Sequence, residues 1–181
     1  TITMLDGKIN EFNIEDVYEL DGQLTKHVEP HYIIRRFIQP HLYLRDSNFE
    51  INFEESAQKA AQIYAIETGK TVDGVVAINY EVLARILAIT GPIKLESLNL
   101  TFDQNNAFDI IQNEISKDFF PGSTQKKDVL SSLFKKMTEE VKNDPLKTSQ
   151  IAALFPNVAA EKNILFAFKD PSIQKLISVL G

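Results

Sequence analysis

The sequence predicts an α/β domain: a three-layer sandwich in which one mixed β-sheet is flanked by helices on both faces. Three observations carry this reading. Residues 72–78 (VDGVVAI) and 163–168 (NILFAF) are near-continuous apolar runs bounded by polar residues, the pattern of strands covered on both sides. Residues 54–68 and 79–90 repeat apolar side chains at helical spacing, so the first run lies between two helices. No internal repeat and no linker interrupts the chain, and a single domain over residues 1–181 is expected.

The elements follow in order. Residues 1–4 are β-prone and Asp6-Gly7 is a turn signal. Ile9, Phe12, Ile14 and Val17 continue in extended style, which makes a hairpin. Residues 22–29 form a polar loop. Pro30 opens the first turn of a short helix carrying Tyr32, Ile33, Ile34, Phe37 and Ile38, and Pro40 stops it. Residues 42–52 read as an ordered loop pinned by its apolar side chains. The 54–68 helix ends at Gly69, a natural residue for the left-handed cap. Asn79 caps the helix that Gly91-Pro92 closes. Residues 93–100 hold one or two short strands. Asp103 caps a helix through residue 116 with Phe108, Ile111 and Ile115 inward, and residues 119–122 (FFPG) break it. Thr124 starts a longer helix with Val129, Leu130, Leu133, Phe134, Met137 and Val141 on one face. Pro145 restarts the chain, residues 148–160 are helical with an interruption at Pro156, and Asp170-Pro171 caps the last helix.

Composition bounds the function. A net charge of −6 argues against a broad electrostatic nucleic-acid footprint. With no cysteine, disulfides, thiolate metal sites and a cysteine nucleophile are excluded. The 12 Phe and no Trp describe a phenylalanine-built aromatic core. The chain opens on Thr1 inside a strand, so it is expected to be a fragment of a longer protein. An N-terminal strand and a membrane anchor would then lie upstream.

The common site signatures are missing. The seven glycines are isolated, with no phosphate-cradling GxGxxG or GxxxxGK[ST], and neither GxSxG nor HExxH occurs. His27 and His31 have the spacing of a metal pair on a helix, but Pro30 between them argues against one continuous helix, and no metal is expected. Glu54-Glu55 fall in a helix first turn, where negative charge meets the helix dipole favourably. Lys126-Lys127 read as a solvated helix face, or as an anion site near a helix N-terminus.

The most unusual stretch is residues 44–49 (LRDSNF), polar groups in an apolar frame. Arg45, Asp46 and Asn48 are expected to form one ordered cluster, with Leu42, Leu44, Phe49 and Phe53 supplying its apolar anchors. Two readings stand side by side. In one, Asp46 and Asn48 make local turns and Arg45 pairs with a carboxylate. In the other, the Arg45 fork and the Asn48 amide bind an anion or a sugar. The first is favoured, because Asp46 beside Arg45 repels the phosphate that Arg45 attracts. Asp73-Gly74 starts a strand where the backbone or a helix is expected to approach closely, and Gly91-Pro92 is expected to be structural.

On these residues the chain resembles a bacterial family called domain of unknown function 4012, whose pattern is "RDaNwspDfp.sA" followed by "vDGViaid…l..lL..tGPi". Arg45, Asp46, Asn48 and Ala57 match, as do Asp73, Gly74, Val75, Ala77, Ile78, Leu87, Thr90, Gly91, Pro92 and Ile93. Phe49 stands where the family has Trp, Ile51 replaces Pro, and Asn52 replaces the second Asp. The resemblance implies an upstream transmembrane helix, and an extracytoplasmic, membrane-associated location in a bacterium.

The family is similar, more distantly, to the LytR–CpsA–Psr group, which moves lipid-linked glycopolymers onto the cell wall. That implies a basic helix start, present here only as Gln125-Lys126-Lys127. The arginine and aspartate set that would hold a lipid pyrophosphate and its metal is not recoverable. The expectation is therefore a non-catalytic binding or scaffolding domain of the cell envelope, without cofactor. Its partners would be an anionic glycan, an isoprenoid phosphate or other envelope proteins. The alternative is a glycopolymer phosphotransferase using magnesium. A cytoplasmic small-molecule enzyme has no motif behind it.

Overall fold

A computed structural model describes residues 1–6, 8–114 and 125–179. Eight helices and six strands run in the order β1 (Ile2–Leu5), β2 (Lys8–Phe12), α1 (Val17–Asp21), α2 (Tyr32–Phe37), α3 (Phe53–Thr68), β3 (Gly74–Ile78), α4 (Tyr80–Thr90), β4 (Ile93–Leu95), β5 (Leu100–Phe102), α5 (Ala107–Asp109), α6 (Gln125–Lys142), α7 (Pro145–Ala160), β6 (Ile164–Phe168) and α8 (Pro171–Ser178) among the described residues. The protein is α/β. The described strands do not join into one mixed sheet: they form three two-stranded antiparallel sheets, β1–β2, β3–β6 and β4–β5. The chain groups into two compact units, residues 1–16 with 79–163, and residues 17–78 with 164–181.

The first unit is built around α4, α6 and the β4–β5 hairpin. Leu83 and Leu87 on α4, Ile93 and Leu95 on β4, Phe102 on β5, Ile111, and Val129, Leu133 and Met137 on α6 form one buried cluster. The inward face expected for α6 is thus the observed one. Asn79 caps α4 by accepting from Glu81 N at 3.1 Å, and its amide donates to Asn163 Oδ1 at 2.6 Å. Arg85 joins α4 to α7 through Glu161 at 2.6 Å and also bonds Glu81 at 2.9 Å. That fork holds Glu161 below the usual carboxylate range.

Several expectations change here. The helix expected from Asp103 starts late: Asp103 Oδ1 instead accepts from Asn105 N and Asn106 N, closing a local turn. α5 then widens into a π-helical turn at residues 110–114. Phe108 points outward, edge-on to Tyr80 with ring centroids 5.0 Å apart, while Ile111 is inward. Ile115, the break at 119–122 and Thr124 lie outside the described residues. α7 begins at Pro145, capped by Asp144, and runs through Pro156 rather than being interrupted there.

The second unit contains α1, α2, a 3₁₀ turn at Leu44–Asp46, α3, the β3–β6 ribbon and α8. Val17, expected in extended conformation, starts α1. Pro30 precedes the α2 cap rather than opening the helix, and His31 Nδ1 caps it by accepting from Ile33 N at 3.3 Å. β3 pairs with β6 along its whole length, from Gly74 opposite Phe168 to Ile78 opposite Ile164. The burial expected on both faces of β3 is not found. Val76 and Ile78 share one face of this two-stranded ribbon and are 45% and 62% exposed.

Two glycines carry local constraints. Gly91 ends α4 with φ +85° and ψ 178°, a conformation only glycine adopts freely, and Pro92 follows it. Gly74 lies under the Phe168 ring of the facing strand. A Cβ there would sit 2.4 Å from Phe168 Cδ1 and 2.9 Å from the Ala167 carbonyl oxygen. The close approach expected at Gly74 is found, but its nearest neighbour is a cross-strand aromatic ring rather than a helix, with the Ala167 backbone behind it. Gly74→Val should lower the thermal midpoint by several degrees, for a loss of about 1–3 kcal/mol. An unchanged midpoint in thermal unfolding would mean that the ring does not rest there.

Candidate functional site

α1 ends on Asp21, whose side chain is almost wholly buried. A carboxylate there needs compensation, and the turn at Leu44–Asp46 supplies it. Arg45 Nη1 donates to Asp21 Oδ2 at 2.7 Å, and the Leu44 backbone N–H donates to Asp21 Oδ1 at 2.9 Å. Arg45 Nη2 donates to Gln39 Oε1 at 2.9 Å, and Gln39 Nε2 donates to Asp46 Oδ2. The guanidinium lies 4.4 Å from the Tyr43 ring centroid and 5.6 Å from that of Tyr18. Ser47 closes the turn by donating to the Leu44 carbonyl.

Arg45 and Asp46 therefore belong to one ordered network, as expected, but its centre is different. The partner of Arg45 is Asp21, with Asp46 at 3.9 Å a secondary neighbour. Asn48 is exposed, and no hydrogen bond joins it to the cluster among the described residues. Of the four expected anchors, Leu42 is buried, Leu44 and Phe53 are half-buried, and Phe49 is exposed. Lys126 and Lys127 belong to the other unit. The Lys126 side chain lies outside the described residues, and Lys127 is half-buried in the first turn of α6. Asp73 is exposed and precedes β3, its carbonyl accepting from Lys169 N at 2.8 Å.

Position 52 also finds its use. Asn52 Oδ1 accepts from Glu54 N at 2.8 Å and caps α3, with Glu54 and Glu55 in the first turn. Asn and Asp serve equally well as N-caps, so the exchange of Asp for Asn leaves this helix start intact. His27 pairs with His41 across 2.7 Å between Nδ1 atoms, not with His31. No group of three or more His, Asp or Glu side chains converges as a metal site among the described residues.

Sequence reasoning missed Glu67. It lies on α3, is only 5% exposed, and its carboxyl lies beside Asp21 and the Leu44 backbone without a well-formed hydrogen bond to either. Burial pushes its carboxyl up to about 7, and the negative charge of Asp21 adds to the effect. Asp21, held by Arg45, is thus the charged neighbour of a second buried acid.

A second feature of the same unit is a half-open, mostly apolar cleft of about 450 Å³ between α3 and the β3–β6 ribbon. Ala57, Ala61 and Ala65 follow one another on successive turns of α3 and face Val75, Ala167 and Phe168. Glu54, Lys169 and Gln174 complete the lining. Gln174 ties the cleft together, accepting from Phe168 N at 2.8 Å and donating to Glu54 at 3.0 Å. The cleft exists because three helix positions and Gly74 are small.

Glu67 makes a pH-dependent prediction. The unfolded chain loses the Glu67 proton near 4.5, and the folded chain keeps it to about 7. Between these values the folded state binds more protons, so its stability falls as pH rises, and above 7 that contribution is gone. Glu67→Gln, which mimics the protonated acid, should stabilise the protein at pH 8 by about 2–3 kcal/mol, and the gain should vanish by pH 4.5. Urea unfolding at several pH values measures this. A gain independent of pH would contradict the assignment.

The sequence profile of a family described as "Protein of unknown function (DUF4012)" matches residues 1–115, which hold the Arg45 network, α3, β3 and the Gly91-Pro92 cap. No curated protein and no solved structure matches the chain. With most of its length covered by that one profile, the chain belongs to the DUF4012 family.

Proposed function

We propose that this chain is a non-catalytic binding domain of a bacterial cell-envelope protein, acting outside the cytoplasm, and that it holds an isoprenoid phosphate in the α3/β3–β6 cleft. The observation that carries the reading is the cleft itself. Its alanine floor leaves about 450 Å³ of mostly apolar space, and Lys169 lines it with no carboxylate partner among the described residues. A concave apolar surface with few polar groups is the usual form of a small-molecule site. The distant likeness to the LytR–CpsA–Psr group then reflects shared ancestry in which transfer chemistry has been lost.

Phosphoryl transfer lacks a comparable observation. It calls for preorganised positive charge at the transferring phosphate. The Arg45 guanidinium, the group best suited to that work, is already held by Asp21 and Gln39. An anionic glycan at Arg45 would have to compete with a carboxylate at 2.7 Å.

Calorimetric titration with farnesyl phosphate, farnesol and inorganic phosphate tests the proposal. Farnesyl phosphate should bind, and Ala61→Phe should weaken it at least tenfold by filling the cleft. Lys169→Glu should weaken farnesyl phosphate while leaving farnesol unchanged. Absence of farnesyl phosphate binding, or binding indifferent to Ala61→Phe in a variant with an unchanged thermal midpoint, would overturn it.

A further inference from the structure

The short helix α2 has a face that its own unit does not cover. Of its six residues only Ile34 is buried, packed with Leu42 and Ile63. Tyr32, Ile33 and Phe37 are exposed, and so is Ile38 at the C-cap; Phe37 is 72% and Ile38 65% exposed. Phe49 extends the surface, its ring centroid 5.2 Å from that of His31. Exposed bulky side chains gathered on one short helix are more than the scattered apolar exposure of an ordinary surface.

The charge of this stretch runs against that of the chain. The whole carries −6, yet residues 26–41 hold Lys26, Arg35 and Arg36 against Glu29 alone, with all three histidines of the protein among them. Glu29 is already engaged by Arg35 and His27. Arg36 lies over the Phe37 ring at 5.6 Å, and neither it nor Lys26 has a carboxylate partner among the described residues.

We propose that α2 and its C-cap form a docking surface for an anionic lipid bilayer. Phe37 and Ile38 enter the boundary between headgroups and acyl chains, Tyr32 lies at the interface, and Arg36 and Lys26 meet lipid phosphates. Two arguments favour a bilayer. Aromatic and aliphatic tips beside cations match the interface, where apolar side chains insert while charged heads stay wet. Positive charge concentrated in an acidic chain complements a surface of anionic lipid, which attracts each nearby Lys or Arg. No helix among the described residues is long and apolar enough to cross a membrane, so the contact is one of surface attachment. It is independent of what fills the cleft.

Vesicle co-sedimentation provides the test, with vesicles of phosphatidylcholine alone and of phosphatidylcholine with one third phosphatidylglycerol. The chain should sediment with the anionic vesicles only, and progressively less as salt is raised. Arg36→Glu should weaken binding about tenfold, and the double variant Phe37→Ser with Ile38→Ser should abolish it. Because these side chains are exposed, thermal midpoints should not move, which separates lost docking from lost folding. No binding to anionic vesicles, or binding that survives both variants, overturns the proposal. So does an analytical-ultracentrifugation result in which the double variant dissolves a dimer while vesicle binding is unchanged, since the face then belongs to a second copy of the chain.

Discussion

The pairing of the buried Asp21 carboxylate with Arg45 is the constraint on which the second unit depends. An acid placed at the end of a five-residue helix, with almost no access to water, is costly unless compensated, and its two oxygens receive the Arg45 guanidinium and the Leu44 N–H. That demand fixes where the 3₁₀ turn sits relative to α1. The turn in turn places Leu42 and Leu44 against Ile34 and Ile63, which seats α2 on α3. α3 then presents Glu67 to the same junction and its alanine face to the β3–β6 ribbon. Arg45, which the sequence also allows as a ligand-binding fork, ties the turn to Asp21, and a concave cleft that no motif announces lies against α3.

The placement of Glu67 shows how much such a tie can carry. Asp21 takes the guanidinium, and Glu67 is buried beside that carboxylate, so burial and the like charge both favour its protonated form. This makes the junction sensitive to pH near neutrality without any histidine at its centre. Perturbed acids often mark functional sites, but structural networks perturb them as well. Here the second explanation accounts for the geometry, because Asp21 is held in an ion pair, Glu67 lies beside it, and neither lines the cleft.

Local chemistry was legible in the sequence, and long-range pairing was not. Asn79 and Asp170 cap helices by accepting from backbone N–H groups two or three residues on, so short patterns suffice to find them. Gly91 likewise announces a positive φ through the Pro that follows it. The partner of Arg45 lies 24 residues upstream, and Glu67 lies 22 residues downstream, in helices whose local patterns give no sign of either contact. The run VDGVVAI misled for a related reason: apolar continuity records the side chains of a strand but not how many strands join it, and β3 has β6 alone as its described neighbour. Phe108 lies off the expected face in a helix that starts late and soon changes to π winding, whereas periodicity assumes one regular helix from Asp103.

The most direct test of this account is a double-mutant cycle across the tie, using Asp21→Asn and Arg45→Met with stability measured by urea unfolding. Asn keeps an acceptor for the Leu44 N–H, so the cycle isolates the charge pair. Arg45→Met alone should be the more damaging change, because it leaves Asp21 buried and uncompensated. Adding Asp21→Asn should then restore stability, giving a coupling on the order of 2 kcal/mol. Losses that simply add, to within about 0.5 kcal/mol, would contradict the central role given to the pair.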